Sequence, residues 1–319
     1  MMEFILLIIG FIMIIKASDV LVDSASSLAI KFKVPKMLIA LTIVSFGTCA
    51  PEVAISFNSV IAKNGTMAFA NVVGSCIVNV FLIIGLAALT RNIKIKDATV
   101  KKEMPILLLT TTCFAVLMLD SLFNPKTNNI FSRADGIILI LLFFMFVAYL
   151  VQLFKNKKQE IKTEEKSKPV YDSVIISIIL LVLSIILIIL SSDLIVDNAI
   201  KIAHAINISE KIITMTAIVI GTSLPELFMT VSSAKKGEFE MTIGNIIGTN
   251  IFNICIVLGL PVAIYGDIIL SNFSIVDILV VFLSSLDLFL FARSEKTVSK
   301  QEGVVMLLIF AVYYIYVLF

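Results

Sequence analysis

The chain has 319 residues, of which 59% are hydrophobic and only 15% are charged, and its mean hydropathy is +1.08. Soluble domains carry about a quarter charged residues, so the composition excludes an ordinary soluble protein. The formal net charge of +2 gives no indication of nucleic-acid binding. The four cysteines lie in apolar segments without paired spacing, which favours neither disulfides nor a zinc site.

The apolar runs are long enough to cross a membrane, because a helix of about twenty apolar residues spans the hydrocarbon core. We therefore predict an all-α polytopic membrane protein with ten transmembrane helices. The predicted spans are 3–22, 36–61, 67–89, 104–120, 134–154, 173–192, 210–234, 241–264, 272–292 and 303–319.

The basic residues alternate between the connections of this layout. Nineteen of the 25 Lys and Arg residues fall in or beside the connections that follow odd-numbered spans, and five belong to the other connections. Cytoplasmic loops of membrane proteins carry an excess of Lys and Arg. We therefore predict a multi-pass protein of the plasma membrane, with its basic connections in the cytoplasm and both termini on the opposite side.

The chain divides into two halves of five spans, residues 1–154 and residues 173–319, joined by a polar segment, 155–172. This segment carries Lys and Glu together and has almost no apolar residues with which to build a core. We interpret it as a solvated cytoplasmic linker, in preference to a regulatory domain.

The two halves are related by a repeat. When Gly47 is placed on Gly221, the first three spans of each half overlay without a gap, through the motif regions 42–90 and 216–264. The match is strongest between Gly47–Glu52 and Gly221–Glu226. Because each half has an odd number of spans, the second copy enters the membrane upside down. The sequence thus predicts two inverted-topology repeats, which in secondary transporters place the substrate site at their interface near the midplane.

Each copy of the motif puts a proline and a carboxylate at membrane depth. Pro51 and Pro225 lack an N–H group and clash with the preceding turn, so each helix must break there. A carboxylate inside the membrane is energetically costly and therefore indicates a functional site. Glu52 and Glu226 are carboxylates of this kind. A Pro-Glu pair that merely caps and kinks a helix is the alternative, and the second copy at the same offset disfavours it.

The span after each motif adds further oxygen donors, in 71–79 and 245–253. Hydroxyl, amide, carbonyl and carboxylate oxygens suit hard cations such as Ca²⁺ or Mg²⁺. Two glutamates neutralise one divalent ion or two sodium ions. Asn71 and Asn245 are explained equally well by close helix packing and interhelical hydrogen bonds.

Four aspartates, Asp19, Asp23, Asp193 and Asp197, lie near predicted span ends. We interpret them as interfacial ion pairs or caps, for example between Lys16 and Asp19, in preference to a role in an ion path.

At these motifs the sequence resembles the calcium/cation antiporter superfamily, and within it the prokaryotic sodium/calcium exchangers. Gly221–Glu226 matches the family pattern G-T-S-x-P-E in full, and Gly47–Glu52 matches it with Cys in the Ser position. The resemblance implies exchange of Ca²⁺ for Na⁺ by alternating access, at a site built from helices 2, 3, 7 and 8. It implies no enzyme activity, no cofactor besides the transported ions, no nucleic-acid partner, and a functional monomer in the lipid bilayer.

The resemblance also implies a set of cation ligands. The glutamates are implied as shared Ca²⁺ and Na⁺ ligands, the threonines of the motifs as Ca²⁺ donors, the serines and Thr249 as Na⁺ donors, two backbone carbonyls as outer Na⁺ ligands, and two asparagines as central amides. These positions are Glu52, Glu226, Thr48, Thr222, Ser223, Ser75, Thr249, Asn79, Asn253, Ser45, Val219 and Cys49.

Two positions depart from the family pattern. Cys49 puts a soft thiol where the family has a serine hydroxyl, and this weakens the expected Na⁺ site on that side. Asn253 stands where potassium-dependent members have Asp, which argues against potassium co-transport.

Three alternatives to Na⁺/Ca²⁺ exchange stay open. Divalent cation/proton antiport is motivated by Cys49 and predicts uptake driven by a pH gradient without Na⁺. A passive cation channel predicts far faster flux, although channels usually present symmetric rings from several subunits. A membrane enzyme lacks any recognisable nucleophile or metal-ligand set.

Overall fold

The computed structural model of the chain is a bundle of long helices with two short antiparallel strand pairs. The structure describes residues 2–119, 130–157, 169–205, 220–270 and 274–318. Within them, seven helices are long and apolar enough to cross a membrane, and two further helices, which meet at a bend of 51°, together give an eighth candidate span. The chain therefore has a polytopic helical membrane fold. The seventh predicted span is described only from residue 220, so the prediction of ten spans stays a prediction.

The helices are numbered in chain order. They are α1 (Met2–Phe32), α2 (Lys36–Thr48), α3 (Ala50–Ile61), α4 (Gly65–Thr90), α5 (Asp97–Lys101), α6 (Glu103–Leu117), α7 (Arg133–Lys157), α8 (Val174–Ala205), α9 (Leu224–Lys236), α10 (Phe239–Tyr265), α11 (Ile275–Glu295) and α12 (Lys300–Leu318). The strands are β1 (Ile93–Lys94), β2 (Ile130–Phe131), β3 (Ile268–Ile269) and β4 (Thr297–Val298).

The strand pairs identify the two ends of the bundle. Strand β1 pairs with β4, and β2 pairs with β3, both antiparallel. At the β1–β4 end, Lys36 Nζ lies 2.6 Å from Glu238 Oε1, and Lys96 forms an ion pair with Glu240. These contacts gather four of the five basic connections at one end, which we call the basic end, as the alternating charge pattern requires. Which side of the membrane this end faces stays a prediction.

The helices that follow the two prolines, α3 and α9, run in opposite directions. Helix α9 finishes at the basic end, where Lys236 Nζ lies 2.7 Å from Asp23 Oδ1 of α1. Helix α3 leads away from that end, because the chain after it enters α4 at Gly65, which packs against Ile268 of β3.

Helices α4 and α10 form the centre of the bundle. In their apolar stretches 78% of the residues are buried, compared with 17% in α7 and 33% in α11. The outer helices expose large apolar side chains over much of their length, which suits contact with lipid. Helices α1 and α8 pack along each other beside this centre.

Asp19 and Asp23 form polar contacts near the end of the bundle, as expected, but their partners lie far away in sequence. Ser232 Oγ donates to Asp19 Oδ1 at 2.6 Å, and Lys236 Nζ contacts Asp23. The structure thus pairs these aspartates with α9, whereas the sequence suggested a local pairing with Lys16.

Helices α2 and α10 approach so closely at Gly248 that a side chain there has no room. A Cβ atom added to Gly248 would lie 2.9 Å from both the Cα and the carbonyl oxygen of Leu41. We expect Gly248→Ala to lower the free energy of unfolding by about 1–3 kcal/mol, the usual cost of overpacking. Thermal unfolding in detergent micelles measures the effect.

The matched control is Val151→Ile, which adds the same single methyl group to a side chain that is 48% exposed on the outer face of α7. We expect its unfolding midpoint to equal that of the wild type. An unchanged midpoint for Gly248→Ala would contradict the close approach of α2 and α10.

Candidate functional site

The two helix breaks have the same backbone geometry. Cys49 has φ −75° and ψ 6°, and Ser223, its counterpart in the second repeat, has φ −86° and ψ 5°. Pro51 and Pro225 follow in the first turns of α3 and α9, where a missing N–H group costs no hydrogen bond. The predicted breaks are therefore present, and each starts a new helix at the proline.

The two carboxylates of the motifs lie near each other in the interior. Glu52 and Glu226 are both 0% exposed, and the two side chains interact electrostatically. In the described part of the chain, none of their four carboxylate oxygens accepts a hydrogen bond of normal geometry. Burying unpaired carboxylates costs several kcal/mol, on the order of the desolvation penalty of an ion, so this pair requires a cation or a proton.

Each carboxylate lies beside the threonine of the other motif. Thr222 and Ser75 are polar neighbours of the Glu52 side chain, and Thr48 is a neighbour of Glu226. The two breaks therefore cross at the centre of the bundle and supply one site between them.

The Thr48 hydroxyl is hydrogen-bonded within its own helix. Its oxygen lies 3.1 Å from the Val44 carbonyl oxygen and 3.2 Å from that of Ser45, so its hydrogen is engaged within its own helix. The lone pairs of Oγ1 can then face the site. The Ser45 carbonyl, predicted as an outer Na⁺ ligand, also accepts the backbone N–H of Cys49 at 3.1 Å. An ion can bind this oxygen only when the Thr48 hydroxyl donates to Val44 instead.

The central helices contribute matched pairs of side chains. Ser75 and Asn79 lie on α4, and Thr249 and Asn253 lie on α10, each pair four residues apart and so on one helix face. All four residues are 0% exposed. Ser75 Oγ, Thr249 Oγ1, Asn79 Oδ1 and both amide atoms of Asn253 have no hydrogen-bond partner among the described residues.

Both central helices widen at these side chains. The α4 helix is π-helical over Val78–Ile84 and α10 over Asn253–Leu258. A third π-helical segment, Ala40–Val44, lies just before the first break. Such wide turns are frequent at functional sites.

Cys49 lies at the site, fully buried next to Thr249 and Glu226. Ser223 is 1% exposed and begins α9 as its N-cap residue. Val219 lies outside the described residues. Across the described ranges, no cluster of three or more His, Cys, Asp and Glu side chains is arranged to hold a metal, so hydroxyl, amide and carbonyl oxygens must complete the coordination of any cation.

Asn71 and Asn245 form the same hydrogen bond in the two copies. Asn71 Nδ2 donates to Ser56 Oγ at 3.1 Å, and Asn245 Nδ2 donates to Thr230 Oγ1 at 3.1 Å. Asn71 Nδ2 also lies 3.2 Å from the backbone oxygen of Glu52. These amides therefore tie the helices after the breaks, α3 and α9, to the central helices.

Three buried polar residues of this region were not among the predicted site residues: Ser56, Thr230 and Asn250. The first two carry hydroxyls at equivalent positions of the two copies, so the repeat itself could have indicated them. Asn250 has Cys76 as its repeat counterpart, so no such signal indicates it.

A known protein family matches both halves of the chain. The family described as "Sodium/calcium exchanger protein" matches residues 2–152 and 176–319. The chain belongs to this family. Members of the sodium/calcium exchanger family are membrane transporters and not enzymes, so the chain is a cation-exchange transporter of the membrane.

Individual relatives match over most of their length. Inner membrane protein YrbG of Escherichia coli is 35% identical over 264 residues, which cover 81% of this chain and 79% of that protein. Sodium/calcium exchanger MaX1 of Methanosarcina acetivorans is 31% identical over 345 residues, covering 99% and 98%. The structure of the sodium-calcium exchanger NCX_Mj, soaked with 10 mM Na⁺ and zero Ca²⁺, has a TM-score of 0.82 at 30% identity and covers 97% of both chains.

The Asn71 amide supports the helix that carries Glu52. Asn71→Leu leaves the buried Ser56 hydroxyl and the Glu52 carbonyl without this donor, and a buried polar group that loses its partner costs about 1–3 kcal/mol. We expect a lower thermal unfolding midpoint for Asn71→Leu, and likewise for Asn245→Leu.

The control is Asn64→Ala, whose side chain caps the exposed start of α4. Loss of an exposed cap costs about 1 kcal/mol, so we expect a smaller shift. Equal midpoints for Asn71→Leu and the wild type would show that the amide contributes nothing to the fold.

Proposed function

We propose that the protein is a secondary antiporter that exchanges Ca²⁺ for Na⁺ by alternating access. The observation that carries the proposal is the pair of buried, electrostatically interacting carboxylates, Glu52 and Glu226, whose oxygens have no partner among the described residues. The exchanger names of MaX1 and NCX_Mj support the same ions.

The charge of the site explains the coupling of the two fluxes. Two carboxylates carry a charge of −2, which one Ca²⁺ or two Na⁺ ions neutralise. An uncompensated charge is costly in a low-dielectric interior, so only an occupied site can close to both sides. Binding of one ion species at the carboxylates excludes the other, and each transition therefore carries either Ca²⁺ or Na⁺.

The proposal includes ten helices in two inverted five-helix repeats, residues 1–154 and 173–319, joined by the linker 155–172. Its support is the opposite direction of α3 and α9, the shared backbone geometry of the two breaks, and the repeated hydrogen bonds of Asn71 and Asn245. The basic end faces the cytoplasm in this proposal, and the protein acts as a monomer.

We assign one group of donors to Ca²⁺ and the flanking donors to Na⁺. Ca²⁺ is held by both glutamates together with oxygens of Thr48 and Thr222, since Ca²⁺ takes six to eight oxygen ligands, roughly at 2.3–2.6 Å. The flanking donors serve Na⁺ and complete the site. They are Ser75, Ser223, Thr249, Asn79, Asn253, Cys49 and the backbone carbonyls of Ser45 and Val219.

A second candidate is divalent cation/proton antiport, and Cys49 is the observation that favours it. The thiol lies where a hydroxyl is the better Na⁺ ligand, and the adjacent carboxylates can bind protons in place of Na⁺.

Transport measurements in proteoliposomes distinguish the two candidate functions. Na⁺-loaded vesicles should take up Ca²⁺ under our proposal, whereas uptake driven by a pH gradient without Na⁺ would favour the alternative. An outward K⁺ gradient should drive no Ca²⁺ uptake.

Both glutamates are required by the proposed mechanism. Removal of one charge from a buried ionic group costs about 3–5 kcal/mol, which corresponds to a loss of roughly a hundredfold or more in affinity. We expect Glu52→Gln and Glu226→Gln each to abolish Na⁺-driven Ca²⁺ uptake in proteoliposomes at micromolar Ca²⁺.

Glu295→Gln, which removes the charge of an exposed residue at the end of α11, is the matched control and should transport as the wild type does. Wild-type exchange by both site variants would refute the assignment of the carboxylates.

Cys49 sets the strength of Na⁺ binding on its side of the site. Cys49→Ser replaces a soft thiol by a hard hydroxyl of similar size. We expect this variant to be activated by a lower Na⁺ concentration, by roughly twofold to tenfold, which is about 0.4–1.4 kcal/mol. The measurement is the Na⁺ concentration that gives half-maximal release of Ca²⁺ from loaded proteoliposomes.

The control is Cys255→Ser, which makes the same change at a buried thiol that is not among the ligand positions. It should leave the half-maximal Na⁺ concentration unchanged. An unchanged Na⁺ dependence in Cys49→Ser would remove the thiol from the sodium site.

A further inference from the structure

Asn250 contacts α4 at two points. It lies on α10, adjacent to Thr249, and is 0% exposed. Its Nδ2 atom donates to the backbone oxygen of Cys76 at 3.4 Å, and its Oδ1 atom accepts from Asn79 Nδ2 at 2.9 Å. The side chain therefore joins the two central helices through residues 76 and 79.

The chemistry of these contacts fixes the orientation of both amides. A backbone carbonyl can only accept a hydrogen bond, so the atom of Asn250 that faces Cys76 must be its NH₂ group. The other end of Asn250 is then an oxygen, which can only accept. Asn79 must present its own NH₂ group to that oxygen, and its Oδ1 atom is left as the free end.

The free oxygen of Asn79 belongs to the proposed cation site. Asn79 lies one helical turn after Ser75, which is a neighbour of the Glu52 carboxylate, and the two side chains share a helix face. Asn79 Oδ1 is buried without a hydrogen-bond partner in the described part of the chain. An Asn79 amide flipped end for end would present NH₂ hydrogens to a cation, and these repel it.

We propose that Asn250 is a positioning residue, which fixes the Asn79 amide so that its carbonyl oxygen faces the transported cation. The inference rests on the proposed function and adds a residue to it. Asn250 does not itself contact the ion in this proposal, and its effect on ion binding passes entirely through Asn79.

The two repeats differ in whether they carry this positioning amide. The counterpart of Asn79 is Asn253, but the counterpart of Asn250 is Cys76, which has no amide. Accordingly, both amide atoms of Asn253 are buried without a hydrogen-bond partner among the described residues. The first repeat thus supplies an amide of fixed orientation, and the second supplies an amide that can rotate.

A double-mutant cycle tests the positioning role. The variants are Asn250→Leu, which is nearly isosteric but has no polar group, Asn79→Ala, and the double variant. The readouts are the Ca²⁺ concentration for half-maximal Na⁺-driven uptake, the maximal rate, and direct Ca²⁺ binding to the purified protein in detergent. Coupled residues show non-additive effects in such a cycle.

We expect Asn250→Leu to raise the half-maximal Ca²⁺ concentration by roughly tenfold, with a smaller change in the maximal rate. In the Asn79→Ala background the same substitution should change neither Ca²⁺ binding nor the half-maximal concentration further. Additive effects of the two substitutions would overturn the proposal, because Asn250 would then act independently of Asn79.

Thr111→Val controls for the loss of a buried polar group. Thr111 is 0% exposed and its hydroxyl bonds carbonyls of its own helix, α6. We expect the Thr111→Val variant to have the wild-type Ca²⁺ concentration for half-maximal uptake. If Asn250→Leu does not fold, Asn250→Ser, which keeps a hydroxyl acceptor, replaces it in the cycle. A wild type that binds Ca²⁺ but shows no Na⁺-driven uptake would overturn the proposed exchange and leave the binding cycle measurable.

Discussion

The structure depends on two carboxylates that are buried near each other without a positively charged partner among the described residues. Glu52 and Glu226 cannot both stay ionised in this environment unless a cation lies between them. The prolines that begin α3 and α9 put these side chains at the centre of the bundle, and the central helices α4 and α10 surround them with hydroxyl and amide oxygens. These carboxylates are therefore neutralised only by a bound cation or a proton.

A second layer of buried amides holds this arrangement in place. Asn71 and Asn245 tie the helices after the breaks to the central pair, and Ser45 Oγ lies 3.0 Å from the backbone oxygen of Asn245, which joins α2 to α10. A hydrogen bond between buried groups is strong because water does not compete, and an unmade one is correspondingly costly. These hydrogen bonds therefore hold α2, α3 and α9 in place against the central helices.

The features that could be predicted from the sequence depend on short stretches of the chain. Apolar runs show where helices cross, and proline requires a break wherever it stands, so the membrane fold, both breaks and the burial of Glu52 and Glu226 agree with the structure. Contacts between distant segments were beyond that reasoning. The pairing of Asp23 with Lys236 and the contact of Asn250 with Asn79 each join residues that no periodicity or spacing relates, whereas the position of Thr222 beside Glu52 follows from the predicted convergence of the two repeats.

Two ion pairs at the basic end join segments of the first repeat to segments of the second. Lys236 and Glu238 hold Asp23 and Lys36 at one end, but their counterparts in the first repeat are Ala62 and Asn64, which carry no charge. Separating the two repeats at the basic end therefore breaks ionic contacts that the equivalent positions Ala62 and Asn64 cannot form. Partly exposed pairs contribute about 0–1 kcal/mol each and weaken in salt, so higher ionic strength loosens the junction of the two repeats at the basic end.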